Sequence, residues 1–180
     1  MIDSPLPVLG LCAWSGTGKT TLLTRLLPLL QQAGLRVAVV KHAHHSFEVD
    51  QPGKDSWALR HAGAAQTLVA SRRRAALITE FDPPHGEPPL RELLPMLDPA
   101  RLDLILVEGF KREVFPKIEL HRPALGRPLL CGRLPHIIAV ASDAPLRLPR
   151  PLPLLDLNDP AAIAGFIIGF HRHHSRKNAS

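Results

Sequence analysis

Apolar residues fall into short continuous runs separated by amphipathic stretches. Leu6–Ala13 (LPVLGLCA) is almost wholly apolar and ends in a glycine-rich turn, the pattern of a strand buried on both faces. Gly18–Ala33 follows, with apolar residues at 22, 23, 26, 27, 29, 30 and 33. Spacings of three and four predict a helix with one apolar stripe. Pro28 lies inside that stretch and is expected to kink or restart the helix, and Gly34 is expected to end it. Leu35–Val40 (LRVAVV) predicts a second buried strand, and Lys54–Ala62 a helix with Asp55 or Ser56 near its cap. Gln66–Ala70 and Ala75–Thr79 read as strands, and Pro83–Pro89 (PPHGEPP) as a loop that no central strand accepts. Leu90–Leu97 predicts a helix, and Leu102–Val107 (LDLILV) is the most strand-like segment of all. Lys117–Leu120 reads as an edge strand, Ile137–Ala141 as a buried strand and Ala144–Pro153 as a proline-rich loop. Asp159–His171 reads as a terminal helix.

Continuous apolar strands separated by helices imply an α/β fold, a mostly parallel sheet with helices on both faces. A chain of 180 residues fits one domain, placed at residues 1–170, with 171–180 as a basic, flexible tail. At 45% hydrophobic and 21% charged, the composition is ordinary for a globular protein. The longest apolar run, Ala161–Phe170, has ten residues, against about 20 for a membrane span. No basic segment precedes an apolar core at the N-terminus, so a cytoplasmic location is expected. Two cysteines make neither a disulfide framework nor a zinc site. The net charge of +6 first suggests nucleic acid. Arg172, Arg176 and Lys177 carry half of that excess in the tail, and with no Tyr and 4% aromatics there are few platforms for stacked bases. Nucleic acid is therefore not the expected partner, and the tail is either solvated or a docking segment for an acidic partner.

Chemistry concentrates at Ala13-Trp14-Ser15-Gly16-Thr17-Gly18-Lys19-Thr20. The string matches the phosphate-binding pattern G-x-x-x-x-G-K-[ST] at every fixed position but the first, where Ala13 replaces Gly. It sits between a strand and a helix, as that loop requires. Gly16 and Gly18 permit a backbone that turns consecutive N–H groups onto one anion, and the helix start adds its positive end. Lys19 supplies a compact charge for terminal phosphates, and Thr20 a hydroxyl for Mg²⁺. Glu108 ends the LILV run, at the strand edge where α/β sheets bind ligands, and is the candidate to hold the metal or orient an attacking water. Asp103 starts that strand, too far away to join it. Asp50, in the polar segment Lys41–Ser56, is a candidate for a water-mediated Mg²⁺ contact; that segment is a candidate switch, and His42, His44 and His45 read as solvated loop residues. Asp143 follows the strand IIAVA, where many P-loop GTPases carry [NT]-K-x-D to read guanine; the Lys is missing here, and a turn Asp before Ala144-Pro145 is the equal alternative. Ser71-Arg72-Arg73-Arg74 is a local basic cluster, read either as a solvated turn or as an anion site.

Several strings together resemble one family. A-W-S-G-T-G-K-T-T-L-L, V-K-H-A-H-H, D-Q-P-G-K-D-S, A-G-A-A-Q-T-L-V-A-S, L-D-L-I-L-V-E-G-F-K and I-I-A-V-A-S-D occur in the order seen in molybdopterin-guanine dinucleotide biosynthesis adaptor protein B (MobB). The resemblance covers Leu9 to Asp159 and leaves out the basic tail from His171 onward. It implies a P-loop NTPase-like, GTP-binding homodimer that uses Mg²⁺. Such a protein assists the molybdenum cofactor guanylyltransferase that attaches GMP to molybdopterin, with molybdopterin itself a candidate ligand. The family's nucleotide loop corresponds here to Ser15, Gly16, Thr17, Gly18, Lys19, Thr20 and Thr21, and its second acid to Glu108. Trp14 stands where some dimeric relatives carry an extra Lys. No arginine finger or water-positioning Gln is identifiable, so weak intrinsic GTPase activity is expected. The alternatives are a small-molecule kinase on the same fold and a nucleotide-dependent adaptor without useful hydrolysis.

Overall fold

The computed structural model describes residues 2–43, 47–81 and 87–178; His44, His45 and much of the proline-rich loop lie outside them. The chain forms two compact units, Met1–His42 with Leu90–Ser180, and Ala43–Pro89.

The larger unit is built on six strands, β1 (Val8–Cys12), β2 (Val37–Lys41), β5 (Leu104–Glu108), β6 (Lys117–His121), β7 (Ile137–Ser142) and β8 (Leu154–Asp156), with β3 and β4 belonging to the smaller unit. Their spatial order is β2-β5-β1-β6-β7-β8, and every neighbouring pair is parallel. All residues of β1, β5 and β6 are buried, as the continuous apolar runs of β1 and β5 predict for a sheet covered on both sides. Alternate residues go to opposite faces. Leu9, Leu11, Leu104, Leu106, Ile118 and Leu120 pack against Leu22, Leu26 and Leu30 of α1 (Lys19–Gln32) and Ile163 and Ile167 of α4 (Pro160–Asn178). Val8, Ile105 and Val107 pack on the other side with Phe115 and with Leu90 and Leu94, around the short helix α3 (Leu90–Leu93). A third cluster joins Cys12, Ile137 and Val140 to Leu130 and Cys131.

Pro28 does not interrupt α1, contrary to the sequence expectation. Pro28 and Thr24, four residues before it, are both exposed, so the carbonyl that loses its partner lies on the solvent side. Gly34 ends the helix as expected. It takes φ 83°, and Leu35 N–H closes the turn onto the Leu30 carbonyl at 3.0 Å.

The expectation for β6 is corrected. It lies between β1 and β7 and is no edge strand. Its charges mislead because both are satisfied by the main chain. Lys117 is 1% exposed and donates to the carbonyls of Glu113 and Phe115. Glu119, at 0%, accepts from Leu130 N–H at 2.7 Å and Cys131 N–H at 2.8 Å. Burial pulls the Lys117 ammonium down to about 8. Gly10 is required where β1 meets this lysine, since a Cβ there would lie 2.8 Å from Lys117 Cγ and 2.8 Å from Phe115 Cε2. The true edge strand beside β7 is β8, inside a segment whose proline content hides it. Helix α4 continues to Asn178, across the boundary expected between residues 170 and 171. Among the described residues no helix is long and apolar enough to cross a membrane.

In the smaller unit, α2 (Asp55–His61) precedes a hairpin of β3 (Gln66–Ala70) and β4 (Ala75–Thr79), which pair antiparallel in a separate sheet. Ser71–Arg74 is the connecting turn, closed by Ser71 N–H to the Arg74 carbonyl at 2.7 Å, and all four residues are exposed. Arg60 ties this unit together by pairing with Glu48, with Asp50 at 2.8 Å and with Glu80 at 2.9 Å. Thus Asp50 is paired through Oδ1 with a guanidinium of its own unit, while its Oδ2 is buried with no hydrogen-bond partner among the described residues.

Asp103 sits at the start of β5, away from the strand's ligand edge as expected. Its carboxylate takes the backbone N–H of Arg36 at 2.8 Å and two guanidinium donors, fastening the entry of β2 to that of β5. These bonds to Arg36 hold the Asp103 carboxyl at about 2, below its ordinary 3.8. The native state therefore binds fewer protons there than the unfolded chain. The stabilisation is complete above the ordinary value and is lost as pH falls through about 2. Asp103→Asn is expected to flatten the loss of stability between roughly pH 4 and 2, measured by urea unfolding at stepped pH; an unchanged slope would remove this role.

Candidate functional site

Parallel strands end together, and β1, β5 and β2 deliver their last residues to one edge. Leu11 of β1 and Lys41 of β2 both stand opposite Glu108 of β5. The chain leaves β1 through buried Ala13 and turns at Gly16 (φ 80°) and Gly18 (φ 97°), conformations in which an L side chain is strained. Ala13 fills the position of the missing Gly without disturbing these turns, because it is wholly packed in the core. Thr17 is buried and folds back on the loop, its hydroxyl donating to the Trp14 carbonyl at 2.8 Å. Gly18 caps α1, so Lys19, Thr20 and Thr21 form its first turn, where amides have no intrahelical partner.

Side chains converge on this turn. Thr20 Oγ1 lies 3.4 Å from Glu108 Oε1, and Lys41 Nζ lies 3.9 Å from Glu108 Oε2. Glu108 is 8% exposed. Burial lowers the pKa of Lys19; Glu108 opposes that shift, while Lys111 and Lys41 add to it. A bound anion would supply the missing countercharge. Burial pushes the neighbouring Cys12 thiol up to about 12, so it carries no nucleophile into the loop. Trp14 is flanked by Lys111 Nζ at 5.3 Å and the Arg127 guanidinium at 5.7 Å from its ring centre, and its indole N–H donates to the Pro128 carbonyl at 2.8 Å.

Beyond Glu108 the backbone is constrained. Gly109 takes φ 101°, and a Cβ there would lie 2.6 Å from His42 Cβ. Phe110 takes φ 46°, the sole positive φ outside glycine among the described residues, and its ring meets that of His42 at 4.8 Å. Strain of this kind persists where its surroundings enforce it. On the other side of the loop Arg122, directly after β6, donates to the Thr17 carbonyl at 3.0 Å and to Asp143.

The structure thus gathers the expected loop residues Ser15 to Thr21 with Glu108, and brings Asp143 to the same strand edge at the end of β7. Lys41, Lys111 and Arg122 escape a reading by motif. Lys41 and Arg122 become visible only once strand register is known: the pairs Lys41–Glu108 and His121–Ser142 bring them beside Glu108 and Asp143. Lys111 ends the string L-D-L-I-L-V-E-G-F-K, which carries the resemblance but assigns that lysine no role.

Comparison with known proteins agrees with this geometry. The family described as Molybdopterin guanine dinucleotide synthesis protein B matches residues 8–143. The chain is 52% identical to the molybdopterin-guanine dinucleotide biosynthesis adapter protein of Escherichia coli strain K12 over 166 residues, 91% of this chain and 92% of that one. It is 42% identical to the adapter protein of the same description from Haemophilus influenzae, over 96% and 93% of the two chains. A crystal structure of molybdopterin-guanine biosynthesis protein B (mobB) superposes with a TM-score of 0.69 at 28% identity, covering 90% of this chain and 98% of that one. The fold and the sequence lead to one conclusion: the chain belongs to the molybdopterin guanine dinucleotide synthesis protein B (MobB) family.

Proposed function

We propose that this chain is an Mg²⁺-dependent GTP-binding protein with slow intrinsic hydrolysis, which assists the guanylyltransferase attaching GMP to molybdopterin. The observation that carries this reading is the loop itself: two left-handed glycines open onto the first turn of α1, with Thr20 and Glu108 3.4 Å apart at the parallel sheet's ligand edge. In this reading Ser15, Gly16, Thr17, Gly18, Lys19, Thr20 and Thr21 surround the phosphates with amides and hydroxyls, and Lys19 pairs with the terminal groups.

Thr20 and Glu108 fit a magnesium ion in chemistry and placement. Both are hard oxygen donors, and they approach each other from two elements. When bound, the ion neutralises charge on the β- and γ-phosphates. Glu108, through its second oxygen, also holds Lys41 near the site and is the group to orient a water.

Among the described residues the side-chain partners of Glu108 are Thr20 and Lys41, with no Arg or Gln, which favours slow turnover. The nucleotide then acts as a signal that a partner reads. A homodimer belongs to the same reading: Leu68, Val69 and Leu77 expose apolar surface on the hairpin of the smaller unit.

Lys19→Ala is expected to weaken Mg·GTP binding by roughly 10–100-fold, the loss of a charged hydrogen-bonding partner, with the thermal midpoint unchanged. Retained affinity in a calorimetric titration would contradict the assignment. Turnover of GTP by the purified chain is expected near 10⁻⁴–10⁻² per second; release of phosphate at about 1 per second or faster without a partner would refute slow hydrolysis. Asp143→Asn is expected to relax preference for GTP over ATP, read from the ratio of the two dissociation constants.

A further inference from the structure

Arg122 is held in place by its neighbours along the chain and across the sheet. Pro123 follows it and restricts it to extended backbone, observed at φ −121° and ψ 106°. The register of β6 on β7, with His121 opposite Ser142, then puts Arg122 beside Asp143. The guanidinium is fixed at both ends. Its Nε donates to the Thr17 carbonyl at 3.0 Å and its Nη1 to Asp143 Oδ2 at 2.5 Å. Its Nη2 lies along the loop, 3.9 Å from where a Cβ on Gly18 would stand. The two side chains are 35% and 22% exposed, so the pair is partly withdrawn from water yet open to a ligand. Asp143 itself is steadied by a turn in which Ser142 Oγ donates to the Ala144 carbonyl at 2.7 Å.

A carboxylate offers about four lone-pair directions, and one guanidinium donor uses one of them. Asp143 Oδ1 therefore keeps its capacity to accept from N–H groups. Guanine presents two such donors on one edge, N1–H and the N2 amine; adenine presents an acceptor at N1 and repels a carboxylate. An unrestrained carboxylate would spend binding energy on being ordered, whereas one already fixed by a planar cation does not.

We infer that Arg122 is the positioning residue for base recognition. It supplies from β6 the cation missing from the Ala141-Ser142-Asp143 string, aligns Asp143 with a guanine edge and ties that carboxylate to the phosphate loop through Thr17. This rests on the GTP reading above and extends it by naming what sets the choice of base.

The test is a set of equilibrium titrations of Mg·GTP, Mg·ATP and inorganic triphosphate against full-length wild type, Lys19→Ala, Arg122→Ala, Arg122→Lys, Asp143→Ala and the double variant Arg122→Ala/Asp143→Ala. Arg122→Ala is expected to weaken GTP about tenfold, leave inorganic triphosphate within twofold and bring the GTP and ATP constants together. Arg122→Lys recovers part of the preference, and the double variant loses no more GTP affinity than Asp143→Ala alone. Wild type binding GTP no more tightly than Lys19→Ala would overturn the nucleotide reading and this inference with it. Wild type preferring GTP, with that preference intact in Arg122→Ala, would overturn the inference alone. So would an equal loss of inorganic triphosphate affinity, which makes Arg122 a phosphate ligand, or a wild type indifferent to the base. Should Arg122→Ala unfold, Arg122→Gln, which keeps donors and loses the charge, must show the same loss of preference.

Discussion

Hydrogen-bonded register between parallel strands is the constraint on which this structure depends. Parallel neighbours run in one direction, so their C-terminal ends arrive at one edge together. The side chains that follow are then fixed beside one another without any local sequence pattern. Glu108 meets Lys41 because β2 pairs with β5, and Arg122 meets Asp143 because β6 pairs with β7. The loop Trp14–Gly18 then needs to supply only one further feature, a backbone turned by glycine so that the first amides of α1 face outward. A shift of one residue in any of these pairings would turn the key side chains to the opposite face of the sheet.

Much of this was legible in the sequence where one physical signal dominated. Apolar runs mark β1, β5 and β7 because a strand covered on both faces has no place for water. The stripe along α1 and the stop at Gly34 follow from helical period and from glycine's access to positive φ. The loop, Lys19, Thr20 and Glu108 were readable because each performs a task that few residue types can. What was hidden rests on long-range pairing. Lys117 and Glu119 look like surface residues, yet they are buried because main-chain groups of the segments just before and after β6 satisfy them, which no local pattern announces. Reading β6 as an edge strand for that reason also hid Arg122, since an edge assignment gives it no neighbour at Asp143. Likewise β8 is too short, and too close to prolines, to show its own period.

The buried pair of charges in β6 also shows how the chain balances cost against position. A lysine without a carboxylate partner gains little from burial, and its lowered pKa reflects that cost. In exchange, four carbonyl and amide contacts lock the segments around Glu113–Phe115 and Leu130–Cys131 onto the central sheet.

Trp14 has a practical meaning of its own. The chain contains two tryptophans, and the other, Trp57, stacks on His61 in the smaller unit. With Trp57 replaced by Phe, indole fluorescence would come from the Trp14–Gly18 loop alone, from a ring whose N–H is tethered at Pro128 and which lies against Lys111 and Arg127. The fold therefore carries a built-in optical probe beside the glycine turns, and titrating Mg·GTP against that emission is a dye-free way to examine the proposed binding.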